Sequence, residues 1–113
     1  VEGAFHSRLM RPAAQRFRAD LERTSFSSPT TPILANVTAE TVTLAAQLPQ
    51  LLEQQIYSPV RWQAITEKLF TASCQLFLEV GGKVLSGLVK KTCMEANTVS
   101  LREAEDLKKY LQK

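Results

Sequence analysis

The stretch that decides the fold is QLFLEVGGKVLSGLVKK, residues 75–91. Its first part is a short, largely apolar run through Leu76, Phe77, Leu78 and Val80, a length and composition suited to a buried strand. The pair Gly81-Gly82 closes that run, and Val84, Leu85, Leu88 and Val89 then recur at helical spacing. Strand, glycine turn and helix in that order are a building block of layered architectures in which helices cover parallel strands.

Working outward, the pattern repeats on both sides. Upstream, Ala13, Ala14, Phe17 and Leu21 form an apolar stripe over residues 10–24, while Arg11, Arg16, Arg18, Asp20, Glu22 and Arg23 fall mainly on other faces, so an amphipathic helix is expected, with Pro12 tolerated in its first turn. TTPILANVT then reads as a strand over residues 31–37, being β-branched and apolar between polar clusters. A second helical stripe, Leu44, Leu48, Leu51, Leu52 and Ile56, is interrupted at YSP because Pro59 has no N–H to donate. Ser58 is therefore predicted to be the N-cap, and Pro59 the first residue, of a third helix. That helix buries Trp62, Ile65 and Leu69, presents Arg61, Gln63, Glu67 and Lys68 to water, and stops near Ser73.

Downstream, a short strand is expected over residues 98–101, overlapping a Ser100/Glu103 capping box that opens a last helix through Ala104, Leu107 and Leu111. The expected class is α/β: a short parallel sheet of two or three strands covered by four or five helices. So small a sheet leaves an unpaired edge and an uncovered face.

Composition bounds the function. The 113 residues suit a single piece of one domain, with about two-thirds of the unfolded surface buried at this size. A formal charge of +3 and a pI near 9.1 permit an acidic partner without demanding nucleic acid. A noncatalytic basic helical binding domain is the alternative these values support, but it lacks an aromatic stacking platform and any nucleic-acid motif. Cys74 and Cys93 lack the spacing of a metal or redox pair and read as reduced thiols. No apolar run reaches the roughly 18 residues of a membrane span and no secretory signal opens the chain, so no membrane association and a cytoplasmic location are expected. The chain begins at Val1 without methionine, as a fragment would.

Chemistry-bearing patterns are few. Ser86 lacks the glycine two places before it that a G-x-S-x-G elbow needs. Gly82-Lys83 fails as a phosphate loop, because Phe77 holds the first-glycine position and Val84 follows the lysine. One histidine and scattered carboxylates offer no metal cluster. His6, the only histidine, is the obvious proton carrier.

Four segments, GAFHSRLM with the following PAA, then NVTAE, QQIYSPVRW and LFLEVGGKVLSGLVKK, resemble in order and separation the C-terminal portion of malonyl-CoA:acyl carrier protein transacylases, and TVSL resembles that family's ending. The resemblance covers residue 3 to about residue 92. It implies the C-terminal part of an α/β-hydrolase-like large acyltransferase subdomain, without the nucleophile elbow or the ferredoxin-like subdomain. It further implies transfer of malonyl from coenzyme A to the phosphopantetheine thiol of acyl carrier protein through an acyl-serine, with the coenzyme A thioester as substrate and no cofactor bound by this chain.

His6 matches the family's general base, and Gln55 the residue whose main-chain carbonyl orients it. Phe5 matches the residue that favours malonyl over methylmalonyl, and Arg8 and Arg11 are the expected docking cations for an acidic carrier. The serine elbow, a malonate-binding arginine and an oxyanion-hole glutamine lie in the missing N-terminal part of such an enzyme, so the chain is expected to be inactive alone. EVGGKVL departs from the family's E-V-G-P-G-K-V-L by one residue, implying a tighter loop. Stand-alone acyltransferases of polyketide synthase pathways share these motifs and remain open as an alternative.

Overall fold

A computed structural model describes residues 3–112, which form two compact units, one ending at Ile65 and the other beginning at Thr66. In the first, a 3-10 turn at Arg8–Met10 leads into α1, Arg11–Arg23, with Pro12 in its first turn. Ala14 and Leu21 are buried seven residues apart, two turns along one face, and that face packs against α2, Leu48–Tyr57.

The strand expected over residues 31–37 contracts to β1, Ile33–Leu34, which pairs antiparallel with β2, Thr41–Val42. The reason is the turn between them. Ala35 N–H donates to Glu40 O and Ala39 N–H to Ala35 O, with Ala39 at φ 58°, so residues 35–40 curl back instead of extending. Thr38 Oγ1 accepts from Glu40 N–H and stabilises the curl.

A 3-10 turn at Ala45–Gln47 precedes α2. The end of α2 corrects the sequence reading: Ser58 is its C-cap, extended at φ −114° and ψ 149°, and α3, Trp62–Thr71, starts only after an irregular connector. Proline disfavours the helical conformation in the residue before it, so Ser58-Pro59 acts here as a stop and not as a start. Arg61 ties the connector down, its N–H donating to Asn36 O and its guanidinium Nη1 to Thr38 O, both at 2.8 Å.

The second unit carries the strand–glycine–helix order expected of residues 75–91. β3, Leu76–Val80, runs parallel to β4, Asn97–Leu101, in a register from Leu76 opposite Asn97 to Val80 opposite Leu101, and α4, Val84–Thr92, is the crossover that packs on both. Val89 on α4 and Leu101 on β4 are buried. Leu76, Leu78 and Val80 share one face of β3 and are 50%, 45% and 76% exposed, the uncovered sheet face that so few strands imply.

The last helix, α5, Ala104–Leu111, starts three residues later than the Ser100/Glu103 box proposes. Asp106 Oδ2 accepts from Arg102 N–H at 2.9 Å and Glu103 N–H at 3.1 Å, which places the cap at Glu103. Ser100 is committed to β4 and unavailable as a cap. The α/β class stands, with a parallel pair and five α-helices among the described residues.

Candidate active site

Backbone hydrogen bonding at the end of α2 builds the site. In an α-helix each C=O accepts from the N–H four residues on. For Gln55 that residue is Pro59, which has no N–H. For Ile56 it is Val60, carried away from the helix axis by the extended Ser58. Two carbonyls are thus left for other donors, and His6 takes both: its backbone N–H donates to Ile56 O at 3.0 Å, and its ring Nδ1 lies 3.0 Å from Gln55 O.

The tautomer follows from the partner. A carbonyl oxygen only accepts, so Nδ1 carries a proton, which in the neutral ring leaves the lone pair on Nε2. The Gln55 side-chain Nε2 stands 3.4 Å from the same ring nitrogen, but a donor there would require Nδ1 to accept. That amide is better satisfied by Ser58 O at 3.0 Å, so the shorter ring-to-carbonyl contact decides the proton's place. Gln55 therefore works twice, its side chain latching the helix stop and its main chain holding the imidazole.

His6 itself is exposed and sits at φ 61°. A left-handed conformation costs a non-glycine residue about 1–2 kcal/mol, here held in place by two bonds to carbonyls some fifty residues away in sequence. Ser7 Oγ donates to Ala4 O at 2.6 Å and closes the turn around the ring.

Of the other residues singled out, Phe5 is 51% exposed beside His6. Arg11 stacks its guanidinium 4.6 Å from the centre of the Tyr57 ring, at the same end of α2 that holds the histidine, and Arg8 is exposed in the turn before α1. Arg18 is occupied by Glu22 at 3.1 Å and Glu53 at 3.7 Å, which together raise its pKa. A mostly apolar hollow of about 200 Å³, lined by Val37, Val42, Leu48, Leu52 and Gln55 among others, adjoins the histidine's anchor.

A second polar cluster, in the other unit, was not anticipated. Glu79, near the end of β3, folds its carboxylate over the first turn of α4: Leu85 N–H donates to Oε1 at 3.0 Å, and Ser86 N–H and Ser86 Oγ both donate to Oε2 at 2.7 Å. Partial burial pushes this carboxylate's pKa up, but the bonds from Ser86 and Leu85 outweigh it and hold the pKa below the ordinary value. Ser86 Oγ also meets Ser100 Oγ at 2.9 Å, joining α4 to β4.

No family model matches the chain. The malonyl CoA-acyl carrier protein transacylase of Bacillus subtilis is 37% identical over 113 residues, 99% of this chain and 36% of that protein. This chain is homologous to one part of the malonyl CoA-acyl carrier protein transacylases. It spans about a third of the length of the curated relatives it matches.

Solved structures from this family agree. The malonyl-CoA:ACP transacylase of Synechocystis superposes with a TM-score of 0.88 at 35% identity, covering 96% of this chain and 38% of that one. A malonyl-transacylase solved with its type II polyketide acyl-carrier protein superposes at 0.90 and 30% identity, covering 99% and 37%. The segment is thus an α/β piece of the acyltransferase fold.

Proposed function

We propose that this chain is the histidine-bearing part of an acyltransferase that moves malonyl from coenzyme A to the phosphopantetheine thiol of acyl carrier protein. The reading rests on the contact between His6 Nδ1 and the Gln55 carbonyl at 3.0 Å. With Nδ1 protonated, Nε2 can take the hydroxyl proton of a serine supplied by the rest of the enzyme as that oxygen attacks the thioester carbonyl. The tetrahedral intermediate collapses, and the imidazolium returns the proton to the departing coenzyme A sulfur. The second half reverses the order: the carrier thiol gives its proton to Nε2, attacks the acyl-serine, and the serine oxygen leaves reprotonated. Gln55 acts through its main chain, and the coenzyme A thioester enters as substrate.

Because the serine lies outside this chain, the chain alone is inactive in this reading and works in the cytoplasm with the N-terminal part of the same enzyme. Phe5, exposed beside His6, is proposed to crowd a branched acyl group. Phe5→Ser is expected to narrow the malonyl-to-methylmalonyl ratio of kcat/KM by about tenfold or more. An unchanged ratio removes Phe5 from specificity. Arg8 and Arg11 are proposed to steer the acidic carrier, so Arg8→Ala should raise KM for the carrier at low salt while leaving that for malonyl-CoA alone. Likeness to a transacylase solved with a polyketide carrier favours, as a second reading, service to a polyketide pathway.

The deciding experiment joins this chain to the N-terminal two-thirds of the Bacillus subtilis relative and measures malonyl transfer to acyl carrier protein. His6→Ala is expected to lower kcat by about 10²- to 10⁴-fold with little change in KM. Full activity in that variant would end the reading.

A further inference from the structure

Beyond the histidine and its carbonyl stands the question of what keeps that carbonyl available. We propose that Pro59 is a positioning residue for His6: by lacking an N–H and by holding Ser58 extended, it strips the last turn of α2 of its internal donors and leaves Gln55 O and Ile56 O for the histidine. The inference rests on the reading of His6 as general base, but its structural half can be tested without any catalysis.

Several independent observations carry it. α2 ends at Tyr57, two residues before the proline, and Ser58 at φ −114° and ψ 149° has the conformation proline imposes on its predecessor. Residue 59 is the one an uninterrupted helix would use to cap Gln55 O. The contacts that replace the missing bonds come from one residue, His6, through its N–H and its ring at 3.0 Å each. The Gln55 amide bonds Ser58 O across the stop, so the helix end is tied in this open form. The effect of Pro59 is to withhold a competitor.

The competition concerns a proton's place. If residue 59 offered an N–H in a continued helix, Gln55 O would accept from it at a local, entropically cheap distance. The imidazole would lose the partner that fixes Nδ1 as the protonated nitrogen, and Nε2 would carry the proton in a larger share of molecules, unable to accept one from a serine. Holding the tautomer is how a carboxylate serves histidine in a serine–histidine–aspartate triad, and here a helix stop does it.

The test exploits His6 being the only histidine, so a 15N-histidine-labelled sample of this chain gives one imidazole whose two nitrogen shifts report the tautomer directly. At alkaline pH the unaltered chain should show the Nδ1–H pattern. Pro59→Ala is expected to lose that pattern in favour of the Nε2–H form. Because Pro59→Ala alone could loosen the connector, the paired swap Pro59→Ala/Val60→Pro is the second variant. It keeps a proline stop one residue later, restores a donor to Gln55 O and leaves Ile56 O orphaned, so the backbone anchor of His6 survives while its ring contact is lost. The same tautomer change is expected in the swap.

An unaltered Nδ1–H pattern in the folded variants overturns the role of Pro59 and leaves the general-base reading intact. In the joined transacylase the swap should lower kcat about tenfold or more with KM for malonyl-CoA within about twofold. A shifted tautomer with undiminished kcat would instead sustain the role of Pro59 and overturn His6 as the base.

Discussion

Two helix ends in this chain solve the same problem by opposite means. The N–H groups opening α4 are satisfied by Glu79, six and seven residues upstream of Leu85 and Ser86. The carbonyls closing α2 are satisfied by His6, separated from Gln55 by 49 residues in the chain. Both arrangements discharge orphan backbone groups that every helix leaves at its ends. A local partner makes a structural joint that forms with the unit it belongs to. A distant partner turns the helix end into a holder for a reactive side chain, at the expense of depending on the whole first unit being folded.

The sharpest way to break that contrast is at Glu79. Glu79→Ala removes the acceptor for three donors at the head of α4, and the thermal unfolding midpoint of the chain is expected to fall by roughly 5 °C, measured by circular dichroism. The joint is also pH-dependent. Since the folded carboxylate titrates below its ordinary value of 4.5, its contribution is complete above that value and is lost as pH falls through the lower folded pKa. Glu79→Gln should flatten the stability profile in that acidic window and lower stability above it, where the carboxylate's contribution is complete, with little effect below it. Asp106, whose pKa is lowered first of all by its bonds from the Glu103 and Arg102 N–H groups, contributes an acid slope of the same sign.

A smaller effect is expected at the turn between β3 and α4. Gly81 sits at φ 84° with open space where a Cβ would stand, so Gly81→Ala carries conformational strain without a clash, about 1 kcal/mol in chemical unfolding. Gly82 differs: a Cβ there would come within 2.8 Å of Glu79 Oε1 and press on the carboxylate that holds α4.

Smallest of all should be Gln55→Ala in the joined transacylase. The carbonyl that holds His6 remains, and only the latch to Ser58 O is lost, so kcat is expected to stay within about threefold. A loss as large as that of His6→Ala would shift the orienting role from the main chain to the amide.

Local elements were legible from residue type and spacing, whereas the one distant pairing expected, that of His6 with the Gln55 carbonyl, came from the family resemblance and not from the residues themselves. QLFLEVGGKVLSGLVKK announces its strand, turn and helix because each signal lies within a few residues of what it specifies. β2 escaped because Thr41–Val42 is too short to show a period, and β1 shrank because the curl at residues 35–40 depends on backbone bonds that residue types do not reveal. Ser58-Pro59 misled because the same dipeptide opens a helix as N-cap and first residue or closes one as cap and breaker. Ser100 misled likewise, having both a capping spacing and a place in a strand.

By itself, the sequence determined the helical stripes, the parallel strand–helix unit and a single histidine whose surroundings resemble one family, since these depend on residue type and near-neighbour spacing. Tertiary structure alone decided that a second carbonyl, that of Ile56, takes the histidine's backbone N–H beside the Gln55 carbonyl that the resemblance implied. A hydrogen bond across 49 residues is a matter of where the chain returns, and composition and period carry no record of that.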